Sequence, residues 1–304
     1  MFKTRSMAVA SGRAAKRRTV LIMLVFALLA VLLLSSCSSI GSILNPSTKP
    51  TTETIEPGVS VPPEPETLQI AVALDTSGST ADSFAEGVRD ALAAKAAGFI
   101  PEKPESKKDG VNAVSGLRIV VYLINTMNAN IYGEGSNVIG EIPGIPALPP
   151  YPEIPKEGIT NDYLDAETAW QNQNAAWEKA YDASLERAKE VSKRILGMSL
   201  KANAQGNASG IYNAICAVIN ATTSGKINVG VFSDLMENGT DRGAPPNEKS
   251  GSVVFCVPAP DGDVVAANER MEALSRTMEA WGFSPAKTYN PDLLPEAVNV
   301  LFGK

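Results

Sequence analysis

The chain has 304 residues and contains no histidine, which removes several classes of chemistry before any motif is considered. Without imidazole there is no Ser-His-Asp triad, no Cys-His protease pair and no HExxH zinc site. With 44% hydrophobic and 20% charged residues, the composition is that of an ordinary globular protein with a sizeable core. Six of the 27 basic residues and none of the 33 acidic residues precede Cys37, so the net charge of -6 becomes about -12 from residue 37 onward. Such an acidic body argues against a nucleic-acid partner.

The N-terminus has the pattern of a secretory signal. After the basic pair Arg17-Arg18 comes an uninterrupted apolar run of 15 residues, Val20–Leu34, which is shorter than the roughly 20 residues of a membrane-spanning helix. The run ends in Leu34-Ser35-Ser36-Cys37, which resembles the bacterial lipobox, a pattern whose cysteine is lipidated and becomes the mature N-terminus. The resemblance implies a signal peptide over residues 1–36 and a lipoprotein anchored through Cys37 to the extracytoplasmic face of a bacterial membrane. An uncleaved signal anchor is the alternative.

A tether is expected over residues 37–67, between the anchor and the folded domain. From Ser38 to Thr67, 16 of 30 residues are serine, threonine or proline, and these cannot build a core. At ~3.1 Å per residue, such a Pro-rich chain reaches on the order of 90 Å when fully extended. The folded domain could therefore stand clear of the membrane surface.

Two further cysteines, Cys216 and Cys256, lie in apolar segments of the remaining chain. In an oxidising compartment they could form a disulfide. Their apolar surroundings are equally typical of core positions occupied by unpaired cysteine. Both interpretations stay open, and two cysteines alone do not make a metal site.

A folded domain is predicted over residues 68–304, where short apolar segments alternate with amphipathic ones. Strands are expected at Leu68–Leu74, Leu117–Ile124, Ile227–Phe232, Ser252–Val257 and, faintly, near Ala286–Tyr289. Helices are expected at Asp82–Phe99, Asn161–Leu196, Ile211–Asn220, Val264–Trp281 and Pro291–Phe302. This alternation predicts an α/β fold with an open, mostly parallel sheet flanked by helices on both faces.

A Pro-rich insertion, residues 141–158, interrupts this alternation. It contains six prolines and no recognisable strand or helix. It could be a recognition loop in polyproline conformation or a plain surface insertion. The long helix that follows carries aromatic and aliphatic residues at helical spacing, which predicts a face packed against the sheet as core; an exposed surface for a partner is the alternative.

Carboxylates and hydroxyls follow two of the predicted strands. Asp75, Ser77 and Ser79 come directly after the first strand, and Ser233-Asp234 follows Ile227–Phe232. Because ligands of open α/β sheets bind at the carboxyl ends of the strands, the two aspartates should meet at one edge. Oxygen ligands of this kind suit a hard divalent cation, which would also relieve the repulsion between the carboxylates.

This arrangement resembles the von Willebrand factor type A (VWA) domain and its metal-ion-dependent adhesion site, MIDAS. In that family the metal is held by a DxSxS loop, by a threonine from a middle loop and by an aspartate after a later strand. The matching residues here are Asp75, Ser77, Ser79, Ser209 and Asp234. Ser209, in the loop 206–211, stands at the threonine position, so a hydroxyl is retained. The resemblance implies Mg²⁺, with Mn²⁺ or Ca²⁺ as alternatives, and an open position that accepts an acidic side chain from a protein partner.

Other interpretations of these residues remain. Asp75 could be a turn former, with Ser79 or Thr80 capping the following helix, although this does not account for Asp234. An enzyme, such as a metal-assisted phosphoesterase, would also have aspartates at strand ends. However, the loop DTSGS lacks the second aspartate of a DxDx[TV] nucleophile loop and no histidine can serve as acid or base. A solute-binding lipoprotein would need two lobes. We therefore expect a membrane-anchored, metal-dependent binding module that is not an enzyme and has no catalytic residues.

Overall fold

A computed structural model describes residues 64–77, 80, 82–124, 130–131, 138–200, 210–223, 225–236, 248–258 and 264–303. All of them belong to the second of two compact units of the chain, residues 60–304. The expected signal peptide, Cys37 and the tether up to residue 63 lie outside the described residues. Among the helices in the described ranges, none is both long enough and apolar enough to span a bilayer.

The described residues contain a single sheet of seven strands. They are β1 (Thr67–Asp75), β2 (Gly116–Ile124), β3 (Asn130–Ile131), β4 (Val138–Ile142), β5 (Lys226–Phe232), β6 (Ser250–Cys256) and β7 (Lys287–Tyr289). The order is β3-β2-β1-β5-β6-β7, with β4 also paired to β2. The five strands from β2 to β7 in this order are mutually parallel, whereas β3 and β4 run antiparallel to β2. The expected open, mostly parallel sheet is confirmed.

Within the same ranges, five α-helices cover the two faces of the sheet. They are α1 (Asp82–Ala97), α2 (Asn161–Leu196), α3 (Ile211–Asn220), α4 (Val264–Ala280) and α5 (Leu294–Leu301), the last preceded by a 3-10 turn at Pro291–Leu293. Helices α1, α2 and α5 contribute to one apolar cluster, and α3 and α4 to the other. Strand β1 lies between them, with Ile70, Val72 and Leu74 in the first cluster and Ala71 and Ala73 in the second. This alternation explains why Ile70–Leu74 is an unbroken apolar run, since both faces of β1 are buried there.

The two remaining cysteines lie on opposite faces of the sheet. Cys256, in β6, belongs to the apolar cluster of α1, α2 and α5, whereas Cys216 is buried in α3 on the other face. Both are thiols, so the disulfide considered from the sequence is not formed and the core interpretation applies. Burial raises the pKa of the Cys256 thiol to about 12.

The Pro-rich insertion is more ordered than its sequence predicted. Its first residues, Glu141 and Ile142, end strand β4, and Ile145 and Leu148 form antiparallel bridges with Val114 and Val111. The prediction of no strand in this stretch was therefore wrong. Proline lacks a backbone N–H, but the residues between the prolines keep theirs. Isolated bridges can therefore form at Ile145 and Leu148.

Together with residues 101–115 and the first half of α2, the insertion forms what we call the amino-edge extension. Ile142 pairs with Leu117 near the start of β2, so the chain leaves the sheet at its amino edge. Arg187 marks the point where α2 passes this edge, because its Nε donates to Glu141 O at 3.0 Å. The first 26 residues of α2 precede Arg187 and belong to the extension. At 1.5 Å per residue they extend about 39 Å along the helix axis.

Aromatic residues of α2 hold this extension together. Trp177 and Tyr181 stack at 5.4 Å, with Lys107 and Lys103 over their respective rings. Tyr181 Oη also donates to Pro101 O at 2.8 Å. The apolar face predicted for α2 is thus buried, but in its first half against the extension rather than against the sheet.

Candidate functional site

The candidate site lies at the carboxyl edge of β1 and β5. These strands are neighbours, and Leu74 pairs with Phe232, so the next residues, Asp75 at the end of β1 and Ser233 just after β5, lie side by side. The Asp75 side chain is fully buried, and so is that of Ser233. Ser233 Oγ donates to Asp75 Oδ2 at 2.6 Å and accepts from Leu235 N at 3.0 Å. One hydroxyl therefore joins the ends of the two strands.

The turn after β1 is organised around the Asp75 carboxylate. Asp75 Oδ1 accepts a hydrogen bond from Ser77 N at 2.8 Å, and the Ser77 side chain also bonds to Asp75. Thr76 N donates to Ile124 O at 3.0 Å, which ties the turn to the end of β2. Asp75 is therefore a turn former, as the alternative interpretation expected. Thr80 Oγ1, however, is buried and finds no partner among the described residues, so Thr80 does not cap α1.

Asp234 provides the second carboxylate at this edge. Its side chain is 1% exposed, and its Oδ1 accepts from Met236 N at 2.9 Å. Its other oxygen, Oδ2, is buried and has no hydrogen-bond partner within the described residues. A buried carboxylate oxygen without a donor is costly, by about 1–3 kcal/mol. This unpartnered oxygen fits a carboxylate built to meet a cation.

The electrostatics of the two carboxylates are unfavourable when nothing neutralises them. Burial raises the pKa of Asp75 above its ordinary value, the hydrogen bonds from Ser233 and Ser77 oppose this rise, and the charge of Asp234 adds to it. The two groups are thus close enough to interact. A hard cation between them would compensate both the desolvation and the repulsion.

Three of the five residues expected to ligate a metal can be located: Asp75, Ser77 and Asp234 gather at this edge. Ser79 and Ser209 lie outside the described residues, although α3 begins directly after the loop of Ser209, at Ile211. Within the described residues there is no group of three or more acidic, cysteine or histidine side chains that could hold a metal. The expected site contains only two carboxylates, because its other ligands are hydroxyls.

Two residues that contact the candidate site, Ser233 and Arg270, were not assigned to it from the sequence. Ser233 was noted only as the neighbour of Asp234, and its position directly after an apolar strand was the available signal. Arg270, on α4, has its Nη2 3.5 Å from Asp234 O, while its Nε is buried without a partner in the described part of the chain. Arg270 is distant from Asp234 in the sequence and lies in no recognisable motif. Its position next to Asp234 follows only from the packing of α4.

Sequence comparison with protein families and with curated proteins identifies no relative. No protein-family model matches the chain, and no curated protein sequence is significantly similar to it.

Proposed function

We propose that the domain is an extracytoplasmic VWA-type module that binds a protein partner through a divalent cation. The observation that carries the proposal is the pairing of two buried carboxylates, Asp75 and Asp234, at one strand edge, with Asp234 Oδ2 left unpartnered among the described residues. Asp75, Ser77 and Asp234, together with Ser79 and Ser209, would hold the ion. All of these ligands are oxygens, which favours Mg²⁺, with Mn²⁺ or Ca²⁺ as alternatives.

The role we propose for the site is binding and not catalysis. The resemblance to VWA domains implies an open coordination position that takes a carboxylate from the partner. A cation in a largely buried site attracts such a group strongly, because water screens it poorly. Lipidation at Cys37 would keep the module at the membrane, with no nucleic acid involved.

Metal binding is tested by isothermal titration with Mg²⁺ and Mn²⁺. We expect saturable binding by the wild-type protein and none by Asp75→Ala. The matched control is Asp165→Ala, which removes an exposed carboxylate from α2. Because Asp75→Ala also removes the acceptor of Ser233 Oγ, circular dichroism must first establish that the variant is folded. Equal titration curves for Asp75→Ala and the wild type would contradict the assignment.

Partner binding is tested by affinity enrichment from envelope extract, with either Mg²⁺ or EDTA present. A protein retained by the wild type in Mg²⁺, lost in EDTA and lost with Asp234→Asn would support the proposal. Retention that is unchanged by EDTA would separate partner binding from the cation and refute it.

A further inference from the structure

Three aliphatic side chains are exposed at the far end of the amino-edge extension. Ile154 is 61% exposed, Ile159 is 67% exposed and Leu164 is 46% exposed. Ile154 and Ile159 flank a turn closed by Gly158 N donating to Pro155 O at 3.0 Å. Thr160 is the N-cap of α2. Ile159, just before the cap, and Leu164, four residues after it, therefore occupy the two positions whose side chains commonly pack together at a helix N-terminus. These three exposed side chains lie within eleven residues of one another, on this turn and on the first turns of α2, and we call them the tip patch.

The tip patch is carried by a rigid support. Thr160 Oγ1 accepts from Tyr163 N at 3.2 Å. The Tyr151 ring packs edge-on against Trp170 at 5.0 Å, and Trp170 Nε1 donates to Pro149 O at 2.9 Å. A preorganised surface loses little conformational entropy when it is covered, so its apolar area is available for binding.

The segment that carries the patch is acidic, and its charge limits what can cover the patch. Between residues 153 and 167 there are five carboxylates and one lysine. The carboxylates are Glu153, Glu157, Asp162, Asp165 and Glu167, and all but the half-buried Glu167 are exposed. A second copy of this chain would bring two such negative rims together, and an anionic bilayer would repel the rim as well.

We propose that the tip patch is a docking surface for a protein partner whose apolar groove is bordered by lysine and arginine. The groove would cover the aliphatic side chains, and its basic border would face the carboxylate rim. This surface is separate from the candidate cation site, because β1 runs about 26 Å from the amino edge to the carboxyl edge that bears Asp75. Docking at the tip patch should therefore not depend on a metal.

The experiment uses a fluorescent amphipathic peptide of about 18 residues, with leucine on one face and lysine on the other, as the probe. A peptide with glutamate in place of lysine is its counterpart. Fluorescence anisotropy is measured with the full-length chain in neutral-lipid nanodiscs, and binding to empty nanodiscs is subtracted. We expect the leucine-lysine peptide to bind equally in Mg²⁺ and EDTA, and the leucine-glutamate peptide to bind at least about tenfold more weakly.

The variants localise the interaction. Ile159→Ser and Leu164→Ser should each weaken binding about tenfold, as expected for an aliphatic side chain that is no longer buried. Val265→Ser is the matched control, since Val265 is 70% exposed at the start of α4, and it should bind like the wild type. Equal losses in Ile159→Ser and Val265→Ser, or unchanged binding in both tip variants, would overturn the proposal.

Sedimentation and vesicle binding test the other occupants. A wild-type dimer that Ile159→Ser converts to monomer would identify a second copy as the occupant. Adsorption of the wild type, but not of Ile159→Ser, to phosphatidylglycerol vesicles would identify a membrane. Either result would overturn the assignment to a basic protein groove, while leaving the cation site at the opposite edge unaffected.

Discussion

Replacing Asp234 by asparagine separates the two roles that a buried carboxylate can have, in folding and in metal binding. The substitution is nearly isosteric, and the carbonyl oxygen of the new amide can still accept the hydrogen bond that Met236 N donates to Asp234 Oδ1 at 2.9 Å. The amide nitrogen takes the position of Oδ2, the atom without a partner among the described residues. The fold should therefore persist, while the negative charge beside Asp75 disappears.

In the absence of metal, the asparagine variant should be at least as stable as the wild type. It loses the repulsion from Asp75 and a buried carboxylate oxygen without a donor, which together are worth on the order of 1 kcal/mol after the remaining cost of the buried amide. For a domain of this size, each 1 kcal/mol raises Tm by about 2–4 °C. A carboxylate whose removal stabilises the metal-free protein is retained for a purpose other than stability.

With metal, the order should reverse. Saturation at about 100 times Kd stabilises the wild type by about 2.7 kcal/mol, which corresponds to a rise in Tm of about 5–11 °C. Asp234→Asn should lose most of this rise, because one of the two charged ligands is gone. Asp165→Asn, at an exposed position in α2, should behave like the wild type in both conditions.

Differential scanning calorimetry with EDTA, with MgCl₂ and with NaCl at matched ionic strength measures all of these effects. An equal magnesium-induced rise in Asp234→Asn and the wild type would refute Asp234 as a ligand. If Asp234→Asn without metal were destabilised by several kcal/mol, Asp234 Oδ2 would have to accept a hydrogen bond in the wild type, contrary to what the described residues show.

Three further predictions test the packing around the site and the fold. Ser233→Ala should lower the free energy of unfolding by about 1–3 kcal/mol, because Asp75 Oδ2 and Leu235 N lose their buried partner. Ser284→Ala, at an exposed position, should leave the free energy of unfolding unchanged, and urea titration measures both variants. With a pKa of about 12, Cys256 should resist iodoacetamide at about pH 9 in the native chain and react once the chain is unfolded in urea, as followed by peptide mass spectrometry; rapid native labelling would contradict its burial. Thr160→Ala should cost about 1 kcal/mol in urea titrations through the lost cap of α2, and Thr160→Ser should restore it.

Local sequence patterns were sufficient for most of the fold. The central strands are short, almost continuous apolar runs and the long helices have helical periodicity. Their bounds differ by at most two residues from the expected ones: β1 is Thr67–Asp75 where Leu68–Leu74 was expected. Strand β4, Val138–Ile142, was missed because it is short and is followed at once by prolines. Helix α2 packs closely on β4, since a Cβ at Gly140 would lie 2.4 Å from Val191 Cγ2. Nothing in the local sequence of β4 indicates that contact.

The candidate site was predictable to the extent that it consists of residues directly after strands. Asp75 ends β1, Ser77 lies two residues beyond it and Asp234 follows β5, and the parallel pairing of these strands brings them together. The contribution of Arg270 depends on how α4 packs against the loop after β5, which is a property of the tertiary structure. The tip patch was beyond prediction for a similar reason, because it depends on how the Pro-rich insertion folds back on α2.

The loop after β5 suggests that the carboxyl edge is maintained in a defined conformation despite its cost. Leu235 has a φ of 59°, in the left-handed region, which costs a non-glycine residue about 1–2 kcal/mol. Its side chain is nonetheless buried in the apolar cluster of α3 and α4, and that burial offsets the strain. The same turn lets Met236 N reach Asp234 Oδ1 and Leu235 N reach Ser233 Oγ. Packing therefore holds the backbone strain next to Asp234, whose Oδ2 has no partner among the described residues, and the protein itself fixes the orientation of this carboxylate.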